Sequence, residues 1–460
     1  MVLETNTLSP SVGQDTPVSS CFPLEVRTTS ASSWIKDVPE RRTDEVRSDT
    51  EGCKYLSSGK VVARGRAGDY EPAQTTSTED WEASGLMHKR LDQIGERRIG
   101  EFLQEFYPPH ERVAIGIGDD AAAVRLQGSG SNLLVITTDP CPLPAAWLLG
   151  DQDYYYLGWY SVLINASDLA AMGAEPMGIV LSVVAQEEMA FSGFRRFLEG
   201  TKDAADTFTC PVIGGNLKDG SEFQVVGTAF GVVKESEVLR RRGAQSGDLL
   251  VVVGDLGLFW SGLLASLLSL ELGELDWREA RRNIYRPIAR VKEGRIIAQQ
   301  HLASSCMDNS DGLIACLYQM VSGNPLDFVL DWRDVRRSPI VDEVARITGV
   351  APIELYAGWG DWQLVVTVPP SNIGGLQCSM AGIAPVHVIG EVRSGHGAIL
   401  DRSGRTVPNK DAERFSKSSY FSHGIEAYMR LLFQNADELI EHMHVQESIH
   451  RQSRTEHKSP

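Results

Sequence analysis

No C-x-x-C pair occurs among the seven cysteines of this chain, scattered at Cys21, Cys53, Cys141, Cys210, Cys306, Cys316 and Cys378. The scatter and the odd count argue against a zinc site or a disulfide framework. They favour a reducing compartment, so a cytoplasmic protein is expected. No run of 18 apolar residues exists, which rules out an expected membrane-spanning helix. The opening MVLETNTLSPSVGQDTPVSS lacks the basic start and apolar block of a secretion signal. Positive charge is also short: 44 Lys and Arg against 61 Asp and Glu leave a formal net charge of −17. Such a chain is repelled by nucleic acid and by anionic membranes, so neither is expected as a partner. To bind an anionic substrate it needs local cations or bound metal.

What is present is a soluble-type composition, 42% hydrophobic and 23% charged, over 460 residues, enough for two domains plus extras. Residues 1–88 are rich in Ser, Thr, Asp, Glu and Arg without a sustained period and read as a disordered extension. From there apolar runs alternate with helical patterns. A helix is expected over 88–107, strands over 132–139, 177–184 and 222–233, and helices over 157–173 and 191–208. A second unit opens with a strand and turn over 248–257 and a helix over 258–270. It continues with a helix over 311–321 and a strand over 361–369. These patterns divide the chain into an N-terminal domain over 89–235 and a C-terminal α/β domain over 236–425. A helix and polar tail follow over 426–460. The fold class is mixed α/β.

Acids and other oxygen-bearing residues fall at separate turns and strand ends. GIGDDAAAV (116–124) sets Asp119 and Asp120 side by side, and Asp139 closes a strand after two threonines. In the helix over 157–173, Ser161, Asn165 and Asp168 recur at spacings of four and three. They form one polar line on a helix with no Lys, Arg or Glu between 157 and 173, which suggests a shielded line of ligands rather than a solvated edge. VIGGNLKDG (212–220) offers Gly214, Gly215 and Asn216 after a strand, either a phosphate-approaching backbone or a plain turn. RRRGAQSGD (240–248) is either an anion clamp or a solvated charge run. CMDNSDGL (306–313) puts Asp308, Asn309, Ser310 and Asp311 before a helix that Ser310 or Asp311 could cap. Five segments of oxygen donors suit Mg²⁺, which takes few carboxylates and completes its shell with phosphate and water.

In order along 95–370, IGEF (99–102), GIGDDAAAV, TTD (137–139), LGWYSVLINASDLAAMGAEP (157–176), GG (214–215), RRGA (241–244) with GD (247–248), YRPIAR (285–290), MDNSDGL (307–313) and GDWQL (360–364) resemble the thiamine-monophosphate kinase family. That family belongs to the wider group of aminoimidazole ribonucleotide synthetase, the PurM-like fold. The resemblance implies a two-domain fold, a homodimer that pairs its N-terminal sheets, and a cleft for ATP with Mg²⁺. It implies metal ligands at Asp119 or Asp120, Asp139, Asp168 and Asp311, with Thr138 and Ser310 as further oxygens. Asp168 and Asp311 would be central to catalysis. Gly214, Gly215, Asn216, Arg241, Asp120 and Asn165 would face the nucleotide. Asp361 and Trp362 would lie toward the substrate.

The departures cluster. The family's G-G-D is G-G-N at Asn216, its D-I-S-D is D-N-S-D at Asn309, and its G-G-E-D-Y is G-W-G-D-W, with Gly360 in place of the glutamate. PCPLPAAWLL after Asp139 replaces a segment that carries a substrate-contacting histidine in the family. The nucleotide half is kept and the acceptor half rewritten. Phosphoryl transfer from ATP to a small-molecule acceptor is the first expectation. A synthetase that phosphorylates an amide or carboxylate, and a non-catalytic nucleotide-binding dimer, are the alternatives.

Overall fold

The computed structural model describes residues 90–94, 96–107, 109–128, 130–333, 335–409 and 420–456; the extension read over 1–88 lies outside the described residues. Two six-stranded sheets organise the chain. The first holds β1 (Val113–Ile115), β2 (Ala122–Arg125), β3 (Asn132–Pro140), β4 (Glu175–Ala185), β5 (Val212–Asp219) and β6 (Gln224–Lys234), in the order β1-β2-β3-β6-β4-β5. The second holds β7 (Leu249–Val253), β8 (Ser305–Asp308), β9 (Leu326–Leu330), β10 (Leu364–Val368), β11 (Val386–Ser394) and β12 (Ile399–Asp401), in the order β12-β9-β11-β7-β10-β8. Pairing is antiparallel except for β4 with β5 and β9 with β12.

The helices that position the site are α1 (Glu96–Phe106), α2 (Tyr154–Ala171), α3 (Phe191–Phe208), α4 (Leu258–Leu267), α5 (Val291–Gln299), α6 (Leu313–Val321), α7 (Tyr420–Leu432) and α8 (Ala436–Glu456). Helix α2 starts where the Asp153 side chain accepts the backbone N–H of Tyr155 at 2.9 Å. It is apolar on nearly every side because it is covered on every side. The first sheet lies on one flank, α3 on a second, and α5 with β8 on a third. Gly158 and Gly200 let α2 and α3 approach closely: a Cβ at Gly200 would sit 1.9 Å from the Tyr155 carbonyl oxygen. In the second sheet, β7 is buried on both faces, which explains its unbroken LLVVV.

Most expected elements are present within a few residues of their expected ends. Two differ in kind. The paired glycines after a strand lie inside one: Gly214, Gly215 and Asn216 belong to the continuous edge strand β5, exposed throughout. The helix expected from residue 426 is two, α7 and α8, and α8 continues to Glu456, well into what reads as a polar tail.

Candidate functional site

Three carboxylates meet where α2 passes between the two sheets. Asp120 follows the turn before β2, Asp168 sits in the last turn of α2, and Asp308 ends β8. One oxygen from each lies within 4.8 Å of the others. Short side chains hold two of them in place. Thr137 on β3 donates to Asp168 Oδ2 at 2.5 Å, and Ser167 on α2 donates to Asp308 Oδ2 at 2.6 Å. Ser310 adds a bond to Asp308 Oδ1 at 3.1 Å. Asp120 Oδ2 is buried and has no hydrogen-bond partner among the described residues.

Arg241 closes one side. Its Nη2 bonds Asp120 Oδ1 at 2.8 Å and its Nη1 bonds Gln319 Oε1 at 2.9 Å, while Gln319 Nε2 reaches Asp311 Oδ2 at 3.3 Å. The backbone N–H of Arg241 donates to Asp119 Oδ1 at 3.0 Å. Cys306 N–H donates to the Arg240 carbonyl at 2.8 Å, so the RRRG segment is tied to β8 beside the triad. One guanidinium thereby spans acids of both halves.

The electrostatics are those of a crowded anionic site. Burial raises Asp308 to about 7, and the charges of Asp120 and Asp311 add to it. Burial, then Asp308, Asp139 and Asp120, hold Asp168 well above the usual carboxylate range. Burial raises Asp120 against the opposing pull of Arg241. Burial and the neighbouring Asp120 bring Asp119 up to about 6. Like charges in a shielded space favour protons until a cation takes their place.

Of the residues read from the sequence, the structure brings Asp119, Asp120, Asp168, Ser310, Asp311 and Arg241 into one network, with Asp139 close enough to raise Asp168. Thr138 turns to the other face of β3, where it bonds the Gly227 carbonyl at 3.0 Å and Thr228 at 2.9 Å. Asn165 lies over Gly227 and donates to the Ser161 carbonyl at 3.1 Å, and its buried Oδ1 has no partner among the described residues. Gly214, Gly215 and Asn216 stand apart. The cross-strand row Gly215–Leu181–Gly227–Asp139 puts Gly215 three strands from Asp139, about 14 Å at about 4.8 Å per step. Asp361 is buried and its two oxygens accept the N–H groups of Gly257 and Phe259 at 2.6 and 3.1 Å, capping α4. Trp362 is buried between Tyr160 and Phe259. The Cys141 thiol is pushed up by burial and by Asp139 and donates weakly to backbone carbonyls, which makes it a poor nucleophile.

Thr137 and Ser167 join the site beyond the residues expected from the sequence, and Asp308, expected only as one oxygen donor of CMDNSDGL, takes the ligand place that the resemblance gives to Asp311. Strand alternation is the signal for Thr137, which shares a face with Asp139, two residues on.

The family model of the N-terminal domain of AIR synthase related proteins matches residues 118–233, and that of their C-terminal domain matches 245–402. The thiamine-monophosphate kinase of Methanospirillum hungatei is 30% identical over 256 residues, 56% of this chain and 80% of that protein. That of Pyrococcus abyssi is 28% identical over 313 residues, 67% of this chain and 92% of the relative. Among solved structures, the complex of AaThiL with AMPPCP and TMP superposes with a TM-score of 0.60 at 26% identity, covering 71% of this chain and 99% of that one. Thiamine monophosphate kinase from Aquifex aeolicus gives 0.53 at 26% identity, with 63% and 92% covered. With both domain models matched in sequence order and the acidic motifs folded into one network, this chain belongs to the thiamine-monophosphate kinase family of AIR synthase related proteins.

Proposed function

We propose that the protein transfers the terminal phosphoryl group of Mg²⁺-bound ATP to a small-molecule acceptor in the cytoplasm, with thiamine monophosphate the first acceptor to try. The observation that carries this reading is the meeting of Asp120, Asp168 and Asp308 within 4.8 Å. The donor set fits Mg²⁺: three carboxylate oxygens within 4.8 Å of one another, and a buried Asp120 oxygen with no other partner among the described residues. When bound there, the ion neutralises charge on the phosphate chain, which this reaction needs more than a covalent nucleophile.

The chain's own residues supply the rest. Thr137 and Ser167 fix the Asp168 and Asp308 carboxylates by hydrogen bonds. Arg241 holds a buried cation against Asp120, and its guanidinium would be the group to pair with phosphate oxygens. Asp119, Asp139, Ser310 and Asp311 surround the triad as further oxygen donors. Asn165, Asp361 and Trp362, expected toward the nucleotide and the substrate, are instead buried in the packing of α2 and the cap of α4 and support the fold around the site. The neutral Asn216, on the distant edge strand, contributes no charge to the metal site. Relatives named as kinases favour phosphoryl transfer over the synthetase and the non-catalytic dimer.

A homodimer is part of the proposal. Met177, Ile213 and Leu217 of β4 and β5 leave a half-exposed apolar strip, from 50 to 60% accessible, for a second copy to cover. Incubation of the full chain with ATP, Mg²⁺ and thiamine monophosphate, in parallel with a metabolite extract, should yield ADP and a product one phosphate heavier. Asp168→Ala should abolish both Mg²⁺-ATP binding and turnover while keeping the fold. Full ATP affinity in that variant removes Asp168 from the site.

A further inference from the structure

The C-terminal helix α7 lies beyond the matched domain models, which end at residue 402, yet it grips the segment that faces the acidic loop. Two side chains hold the single residue Trp359 by its backbone. The Tyr428 hydroxyl of α7 accepts its N–H at 3.2 Å, and the Trp260 Nε1–H of α4 donates to its carbonyl at 2.9 Å. The Tyr428 and Trp260 rings stack with centroids 5.6 Å apart and planes 25° from parallel. Gly358 keeps this clamp tight: a Cβ there would stand 2.2 Å from Trp260 Nε1 and 2.7 Å from a Leu432 methyl.

The next residue passes the constraint to the site. Gly360, at φ +110° with its Cα against the Phe259 ring, donates its N–H to the Ser310 carbonyl at 3.0 Å. Ser310 Oγ in turn bonds Asp308 Oδ1. The 308–311 loop is held from the same side a second time, because Asn309 N–H donates to the Gln363 carbonyl at 2.8 Å. The path from Tyr428 to the triad is thus short and made of backbone and directed hydrogen bonds.

We infer that Tyr428 is a positioning residue: through the Trp359–Gly360 backbone it sets the place of Ser310 and so the aim of the Asp308 carboxylate. The helix pair α7–α8 is then a working part of the site and not a covering alone. This inference rests on the reading of Asp120, Asp168 and Asp308 as a divalent-cation site.

The test uses the full chain, with Mn²⁺ alone as a spin probe titrated without nucleotide, and thermal melting beside it. Tyr428→Phe keeps the ring stack and removes the hydroxyl. It should weaken Mn²⁺ binding about fivefold, the size of one neutral hydrogen bond felt in a ligand's support, with Tm moved by no more than about 2 °C. Trp260→Phe removes the other tie on the same residue and should weaken Mn²⁺ binding by a similar factor, with a larger fall in Tm because the fully buried indole is cut back. The double variant should lose less than the product of the two, since both hold one segment. Asp308→Asn is the control for the underlying reading. If Asp308→Asn binds Mn²⁺ as the wild type does, the cation site itself is wrong. If Asp308→Asn loses Mn²⁺ while Tyr428→Phe and Trp260→Phe bind it unchanged, the positioning role is overturned, whatever happens to Tm.

Discussion

At the scale of the residue, the acids of this site store unfavourable charge. Asp308, raised to about 7 by burial, Asp120 and Asp311, binds a proton in the folded chain at pH values where an unfolded carboxylate, ordinarily near 3.8, has lost it. Between those values the native state holds more protons than the unfolded one, so stability falls as pH rises through the window. A cation reverses this, and it binds only once the carboxylates are free of protons. The metal-free protein should therefore melt at lower temperature as pH goes from 6 to 8, and the gain in Tm on adding Mg²⁺ should grow over the same range. Asp308→Asn should shrink both trends, the remainder of the first coming from Asp119, Asp120 and Asp168. A Mg²⁺ gain that is constant with pH would show that these carboxylates do not hold the ion. The sequence made the presence of such acids plain, since GIGDDAAAV and MDNSDGL set them beside glycines at element ends. It did not say which oxygens converge. Asp311 stood out by its place before a helix, whereas Asp308 joins the triad because β8 runs alongside α2, a pairing between residues 141 positions apart.

At the scale of the element, α2 shows how much a local pattern reveals. Its apolar surface with a sparse polar line was legible as a helix with something to shield, and it is the helix on which the site is built. What the pattern could not reveal is that two of the three polar residues bond within the helix, Ser161 to the Gly158 carbonyl and Asn165 to the Ser161 carbonyl. Strand β5 was harder. Gly214 and Gly215 read as a turn by composition, but pairing with β4 keeps them extended, and a lateral partner is invisible to a window of neighbouring residues. The packing of α2 against α3 makes a direct prediction. Gly200→Ala puts a methyl carbon into the Tyr155 carbonyl, so the helices must separate. The expected loss is about 2 kcal/mol or more in a denaturant titration, with Asp168 displaced and Mg²⁺ affinity reduced alongside. A wild-type midpoint would mean that the two helices are looser than the structure has them.

At the scale of the molecule, the α/β alternation in both halves was legible because each strand and helix carries its own period, and both sheets formed where those periods fall. The C-terminal end was not. The helix pair packs Tyr428, Met429 and Leu432 of α7 and Leu439, Ile440 and Met443 of α8 into the core, a use that its own amphipathic pattern leaves unspecified. The first 85 residues have no core-forming pattern. Their removal should leave turnover and Tm unchanged, as measured on the chain beginning at residue 86. A truncated chain that stays soluble but is inactive would assign that segment a task in the reaction.

The triad draws its members from the turn before β2, the end of α2 and the tip of β8, with Arg241 reaching in from the stretch that joins the two sheets. Asp120 and Asp168 travel with the first sheet and Asp308 with the second, so neither piece alone carries the full set. Competence is thus a property of assembly: a cut between β6 and β7 would strip α2 of the cover that α5 and β8 give it, and would part Asp308 from Asp120 and Asp168.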